Sequence, residues 1–289
     1  MADYNDDLDP LAQMFREIRE DRQHRSDEHT ALRASDAYQG AIRQVDRYIF
    51  DYGLGINAIE LMATRNPAYF DERISLRIKP HLVQSMIAAS HMIKEGLHDP
   101  ARREMRFLVE ASVKAFWLDR GSPPLRADDG AEQALPPITV AEKVAALDGL
   151  GRERFDQIVD SLRFGMLDDP ARDQYRQTAK RLYGTLSTTT HVSSRNVERD
   201  LANFDRGKHF AFETVADVNT IARLLRQVLD LALASHFEAF DHGLVGDLFE
   251  PHFEPRWSFL KTPLVAAVDR HFDYKHERRV RRGQISSPK

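Results

Sequence analysis

The 289-residue chain contains no cysteine, which excludes disulfide bonds, thiolate metal sites, iron–sulfur clusters and cysteine nucleophiles. It also lacks any run of roughly 18 consecutive apolar residues, so no transmembrane helix is predicted. The first residues are acidic and have no apolar core, which is untypical of a secretory signal peptide. Together these absences predict a cytoplasmic protein that does not bind a membrane.

An excess of charge of one sign is missing as well. The chain has 41 Lys and Arg against 45 Asp and Glu, a formal net charge of −4, so no global field draws it toward nucleic acid or a membrane. Its hydrophobic content of 42% is sufficient for a core. The composition therefore predicts a folded protein with many solvated, charged helix faces.

Apolar residues recur at helical spacing through most of the chain, and no stretch shows the strict alternation of a β-strand. Side chains that cap helices precede several of these segments: Ser35, Asp99, Thr139 and Asp169. We therefore predict an all-α fold, a multi-helix bundle of about seven to nine helices.

The helices are predicted to form a single domain, residues 35–282, after a polar N-terminal helical arm, residues 1–34. Residues 121–138 are rich in Pro and Gly and are predicted to be a flexible loop. Residues 283–289 are predicted to be a disordered tail.

Local features predict the arrangement inside the domain. Residues 214–241 are the most hydrophobic helical segment, which predicts a central helix. Pro80 is predicted to break or kink a helix. Residues 243–260 contain several Pro, Gly and aromatic residues and are predicted to be irregular. Shorter helices are predicted over residues 151–164 and 262–280.

The first candidate site lies on the predicted helix 99–119. Arg106, Glu110 and Lys114 follow one another at i, i+4 and i+8, so they share one face and can form ion pairs in sequence. This pattern is typical of a solvated ion-pair ladder. Because the helix is otherwise apolar, the same pattern also fits a polar stripe that faces a cleft.

The second candidate site ends the predicted helix 169–191, where Tyr183, Ser187 and His191 fall on one face. Ser and His together suggest a nucleophile and a base, but no orienting acid and no nucleophile elbow are visible. His191 either caps a helix end or acts as acid and base in phosphodiester chemistry, with an Arg steadying the phosphate. We predict that Arg106, Glu110 and His191 meet, with Ser187 and Lys114 nearby, since buried charges need partners.

The Arg106–Glu110 spacing, followed by the segment from Tyr183 to His191, resembles a pattern in uncharacterised bacterial all-helical proteins related to the HEPN superfamily. Several HEPN proteins are ribonucleases of toxin–antitoxin or phage-defence systems. The resemblance therefore implies a bacterial protein that acts on RNA through a His/Arg site and is held by an antitoxin or another protein partner. A homo-oligomer is also expected.

The resemblance is incomplete, because HEPN proteins place an Arg before the active His with roughly four to six residues between them, and His191 has no Arg at that spacing. Three other pairs have it: Arg19/His24, Arg22/His29 and Arg270/His276. Such pairs also arise by chance in an Arg-rich chain. Only Arg270/His276 combines a polar second residue with a predicted helix, so it is the alternative catalytic pair.

The C-terminal segment is basic and contains Arg278, Arg279, Arg281 and Arg282. Such a segment either keeps the chain end solvated or contacts the phosphates of a nucleic acid. These four arginines are therefore the candidate nucleic-acid-binding residues.

Metal and cofactor sites have little support in the sequence. Residues with metal-binding side chains gather near the end of the central helix and beyond it: His236, Glu238, Asp241, His242, Glu250 and His252. Their spacing fits neither a zinc motif nor a di-iron bundle, and no glycine-rich nucleotide-binding motif occurs. We therefore predict neither a metal nor a cofactor. The alternative to a ribonuclease is a non-catalytic helical interaction module that binds a protein partner or homodimerises.

Overall fold

The computed structural model describes residues 10–121, 139–151, 153–188, 197–198, 201, 213–249 and 256–275. Of these residues 84% are helical and none lies in a strand, so the predicted all-α class is confirmed. The described ranges hold eleven α-helices, nine of which have seven or more residues. They are α1 (Pro10–Ala34), α2 (Asp36–Ala63), α3 (Ala68–Glu72), α4 (Ile74–Lys94), α5 (His98–Asp119), α6 (Val140–Leu150), α7 (Phe155–Asp160), α8 (Asp169–Ser187), α9 (Val215–Glu238), α10 (His242–Phe249) and α11 (Pro263–His271).

Helix α9 is the central helix of the bundle, as its apolar sequence predicts. Thr214 and Asp217 form a capping box at its start, and the helix is buried continuously from Val228 to Glu238. It packs against α2, α5 and α11, while α4 lies along α5. The polar residues at the end of α9 are therefore placed inside the protein.

Two predicted caps are confirmed. The Ser35 side chain accepts a hydrogen bond from the Tyr38 N–H at the start of α2. Thr139 and Glu142 form both hydrogen bonds of a capping box at the start of α6. Each cap satisfies N–H groups that have no partner within the helix.

Two other predicted caps are wrong. Asp99 lies in the first turn of α5, which has no side-chain cap, and it pairs with Arg102 at 2.5 Å. At α8 the cap is Asp168 rather than Asp169, and its side chain accepts the Ala171 N–H. Two neighbouring aspartates offer the same chemistry, so the sequence alone does not separate them.

A break or a kink is predicted at Pro80; the break does not occur, because α4 continues through this residue. Proline removes one hydrogen bond and costs roughly 3 kcal/mol inside a helix. Leu76, Leu82 and Met86 are buried on either side of Pro80, and each buried side chain of this size contributes about 1.5–3 kcal/mol. The packing of both halves on one core outweighs the local cost.

The predicted irregular segment 243–260 is wrong in part, because α10 and a 3₁₀ turn (Ser258–Lys261) lie within it. Gly246 suits this packing, since a Cβ there would lie 2.9 Å from the Phe272 ring. Of the helix predicted over residues 151–164, only α7 forms, and an irregular loop follows it. Helix α11 ends at His271, short of the predicted residue 280.

Helix α1 has no buried residue. It is attached near its end, where Arg33 donates to the Lys94 carbonyl and His29 approaches the Glu213 carboxylate at 3.3 Å. Residues 1–9, the predicted loop from 122 onward and the predicted tail 283–289 lie outside the described residues. No helix in the described ranges is both long and apolar enough to cross a membrane.

Candidate functional site

Helices α5 and α8 meet through Arg106 and Tyr183. Arg106 donates from Nη2 to the Tyr183 hydroxyl at 2.9 Å, and its guanidinium lies 4.9 Å from the centre of the ring. The Tyr183 ring stacks on Phe155 of α7, with centroids 4.0 Å apart and planes 10° apart. The two sequence motifs therefore come together, and their point of contact is Tyr183.

The other predicted residues of this pair of helices make local contacts. Lys114 pairs with Glu110 at 2.6 Å, one turn apart on α5. The Ser187 hydroxyl donates to the Tyr183 carbonyl at 2.6 Å, so it is engaged with its own helix rather than with a base. Tyr183 and Ser187 line an open cleft of about 550 Å³ together with Lys180.

The remaining predicted residues are placed as follows. His191 lies outside the described residues, so its approach to Arg106 stays a prediction. Arg270 is exposed on α11, and His276 lies outside the described residues. The same holds for the four basic residues Arg278, Arg279, Arg281 and Arg282.

A second cluster, which we call the histidine cluster, joins His242, His271 and Arg120. The two imidazole rings meet edge to face, with centroids 5.1 Å apart and planes at 85°. Arg120 and His242 both approach Gly165: a Cβ at that position would lie 2.8 Å from Arg120 Cζ and 3.0 Å from His242 Nε2. Two imidazoles and a guanidinium therefore converge beside a residue that has no side chain.

Each member of the histidine cluster comes from the end of a different element. Arg120 follows the last residue of α5, His242 begins α10 and His271 ends α11. His242 is exposed, while Arg120 and His271 are half-buried. The cluster is thus open to a ligand from solvent, and its members are carried by helices that share the main core.

Glu238 holds the loop that carries Gly165. Its buried carboxylate accepts the N–H groups of Gly165, Met166 and Leu167 at 2.6, 2.9 and 2.7 Å. Three donors satisfy the buried charge, so residues 165–167 are fixed to the end of α9. The loop backbone is thereby held against Arg120 and His242.

The protonation of His271 is set by its surroundings. Burial lowers the pKa of His271 below its ordinary value, and the nearby His242 lowers it further, whereas Glu238 and a hydrogen bond to the Met166 backbone raise it. At neutral pH the His271 ring is therefore mostly neutral. A neutral imidazole can accept a proton from a substrate.

The residues with metal-binding side chains are separated. His236 is buried, and burial followed by the charge of Lys79 lowers its pKa to about 4. Asp241 accepts from the Tyr69 hydroxyl at 2.6 Å, and Glu238 is used by the loop. Within the described part of the chain, no three such residues lie close enough to share a metal ion. Glu250 and His252 fall outside it.

Sequence reasoning missed the histidine cluster as a unit. In the sequence His242 stands out only among metal-type side chains, and His271 only as the second residue of the Arg270/His276 segment. Arg120, Gly165 and the two histidines are distant in sequence, and no spacing rule connects them. The nearest usable signal is the position of Arg120 at the end of a strongly amphipathic helix.

Comparison with known proteins adds no relative. No family model matches the chain, and no similar curated protein or solved structure was found.

Proposed function

We propose that the chain is a HEPN-like ribonuclease that cleaves RNA by acid–base catalysis at the histidine cluster. The observation that carries this proposal is the contact between His242 and His271 beside the Arg120 guanidinium. A base, an acid and a cation for the phosphate are the groups that phosphodiester cleavage requires. The role suggested by the resemblance is that of a bacterial toxin or phage-defence protein restrained by an antitoxin.

In the proposed reaction His271 is the base and His242 the acid. The RNA 2′-hydroxyl gives its proton to the neutral His271 ring while its oxygen attacks the phosphorus. The bond from phosphorus to the 5′-oxygen of the next nucleotide breaks, and that oxygen takes a proton from the His242 ring. The products are a 2′,3′-cyclic phosphate and a 5′-hydroxyl, and Arg120 stabilises the charge that builds up on the phosphate oxygens.

The test is an RNA cleavage assay with analysis of the product ends. We expect His242→Ala or His271→Ala to lower the cleavage rate by roughly 10²–10⁴-fold. His91→Ala is the matched control, since His91 is exposed near the far end of α4. Unchanged cleavage by both cluster variants, combined with loss of cleavage in His191→Ala, would contradict the histidine cluster as the site and favour His191.

A second candidate function, homodimerisation, has one specific observation in its favour. Phe50, Leu54 and Leu61 lie on one face of α2 and are 72%, 41% and 67% exposed. Gly53, beside them, has no neighbouring atom within 4 Å of an added Cβ. This apolar stripe, which is interrupted by the exposed Asn57, fits a second copy of the same helix.

Sedimentation equilibrium distinguishes this second candidate. A dimer should form through the α2 stripe, and Phe50→Glu/Leu61→Glu should convert it to a monomer with an unchanged circular dichroism spectrum. A chain that is already monomeric, or a dimer that persists in the double variant, would exclude this face.

A further inference from the structure

A groove with a basic lining runs between α8, α9 and the start of α11. Its walls are Gln174, Thr178 and Arg181 from α8, and Arg223, Arg226, Gln227 and Asp230 from α9; its end is formed by residues 261–264. Its volume is about 460 Å³. Arg181 donates to Gln227 at 2.7 Å and links the two walls.

The groove continues into a second depression of about 390 Å³, because Arg226 and Lys261 line both. The second depression adds Arg47 and Arg256. We call the joined surface the basic groove; its cations are Arg47, Arg181, Arg223, Arg226, Arg256 and Lys261. Six cations along one concave surface contrast with the net negative charge of the chain.

The acidic residues at the basic groove already accept hydrogen bonds from other groups of the chain. Asp230 is buried and accepts from the Thr262 hydroxyl at 2.6 Å and from the N–H groups of Leu264 and Val265 at 3.1 and 3.0 Å. These bonds cap α11, so the N–H groups at the start of that helix already have an acceptor within the chain. Asp51, buried below the second depression, accepts the Ser258 N–H and approaches Arg47 at 3.7 Å.

Three of the six cations, Arg181, Arg223 and Lys261, form no ion pair within the described ranges. Arg226 lies near Asp230, and its charge lowers the pKa of that carboxyl. The Arg226 Nε is buried without a hydrogen-bond acceptor, and its guanidinium lies 5.6 Å from the centre of the Tyr48 ring. The six cations of the basic groove outnumber its two carboxylates, Asp51 and Asp230, and this excess of positive charge favours an anionic ligand.

We propose that the basic groove binds the phosphate backbone of single-stranded RNA. One arginine guanidinium donates two parallel hydrogen bonds to the oxygens of a phosphate. Two joined depressions suit a chain of phosphates better than they suit a single phosphate. Tyr48 and Trp257 are the aromatic residues of the lining, and both are buried. Bases therefore find no stacking platform, and the groove binds RNA of any sequence.

The position of α11 connects the basic groove to the histidine cluster. The helix begins at Pro263 beside the groove and ends at His271 in the cluster. Nine residues at about 1.5 Å each span roughly 13 Å. We infer that a strand held in the groove extends over this distance to the imidazole rings. In this respect the inference rests on the proposed ribonuclease function, although binding in the groove does not require cleavage.

The test measures binding of a fluorescein-labelled single-stranded 2′-O-methyl RNA by anisotropy. This probe lacks the attacking hydroxyl, so its binding is independent of the proposed cleavage. The variant is Arg223→Glu/Lys261→Glu, both of whose residues are exposed. Arg16→Glu/Arg19→Glu on α1 is the control, with the same change of charge on exposed residues.

We expect the groove variant to bind at least about tenfold more weakly than the control. The slope of log affinity against log salt should fall by about 0.7 for each phosphate that the variant no longer neutralises, so by about 1.4 for two. Equal binding by variant and control, or no binding by the unmodified chain, would overturn the inference. Tighter binding of poly-glutamate than of RNA would overturn it in favour of an acidic protein. Tight RNA binding without any cleavage of natural RNA would leave the groove supported and the ribonuclease proposal wrong.

Discussion

The imidazole of His242 meets that of His271 edge to face, with 5.1 Å between the ring centroids. One ring is at the start of α10 and the other at the end of α11, so the contact depends on the packing of both helices.

The first prediction concerns pH. His271 has a pKa below its ordinary value of 6.5, and the proposed base must be neutral. We expect the rising limb of the cleavage rate against pH to have its midpoint below 6.5, where the His271 ring becomes neutral. A pH–rate profile for kcat/KM measures this midpoint. A rising limb with its midpoint at or above 6.5 would contradict the assignment of His271 as the base.

The second prediction tests the role of Arg120 in cleavage separately from the stability of the fold. Gly165→Ala introduces a Cβ 2.8 Å from Arg120 Cζ, and the end of a long side chain can move aside. We expect Gly165→Ala to abolish most of the cleavage and to lower the free energy of unfolding by less than about 1 kcal/mol. Gly53→Ala is the control, because nothing lies within 4 Å of its added Cβ. That change should stabilise α2 by about 0.5–1 kcal/mol. Full activity of Gly165→Ala would argue against a role for Arg120.

The third prediction concerns Glu238, whose carboxylate accepts three backbone N–H groups. Glu238→Gln keeps the shape of the side chain, but it has one acceptor oxygen instead of two and adds a donor facing the backbone N–H groups. We therefore expect the free energy of unfolding, measured in urea, to fall by about 2–4 kcal/mol. Glu238 also raises the pKa of His271. In the variant that pKa should fall further, as followed by NMR titration of the ring. An unchanged His271 titration would show that Glu238 acts on the loop alone.

The fourth prediction concerns His236, which is buried with a pKa of about 4. The unfolded chain binds this proton more tightly, with an ordinary pKa of 6.5. Burial of the neutral ring therefore contributes fully to the free energy of unfolding above pH 6.5, and this contribution is lost as the pH falls toward 4. At pH 5 the loss is about 2 kcal/mol. His236→Leu should remove this share of the pH dependence in urea unfolding, whereas His91→Ala should not. Equal pH dependence in all three proteins would contradict burial of a neutral ring.

The fifth prediction concerns the ion pair of Lys143 and Asp119, in which both side chains are almost wholly buried and 2.9 Å apart. It holds α6 to the end of α5, next to Arg120. Lys143→Met leaves the buried charge of Asp119 without its partner, and we expect the free energy of unfolding to fall by about 3 kcal/mol. Lys180→Met breaks a pair of similar length with the exposed Asp160, so it should cost less than about 1 kcal/mol. Similar losses in both variants would contradict the burial of the first pair.

The sequence predicts the helices of this protein better than it predicts the site. Periodicity of 3.6 residues reports which face of a helix is buried, and it locates α9 and α5 correctly. Cap chemistry locates Ser35 and Thr139, but it fails at Asp99, where the first turn forms without a side-chain cap. The break predicted at Pro80 does not occur because the core on both sides of it decides the outcome, and that core is not local.

The predicted site rests on two motifs, one on α5 and one at the end of α8. Arg106 meets α8 at Tyr183, whereas its predicted meeting with His191 lies outside the described residues and stays a prediction. The histidine cluster could not be predicted, because its members stand at the ends of elements whose relative positions follow from tertiary packing. The basic groove shares this property: Arg181 and Arg226 come together only when α8 packs near α9.

The most direct test of the ribonuclease proposal is a double-mutant cycle on kcat/KM for RNA with His242→Ala, His271→Ala and both together. Because acid and base act in one step, the double variant should be about as slow as the slower single variant. Single variants that cleave RNA as fast as the unmodified chain, or losses that multiply in the double variant, would contradict joint catalysis by the two rings.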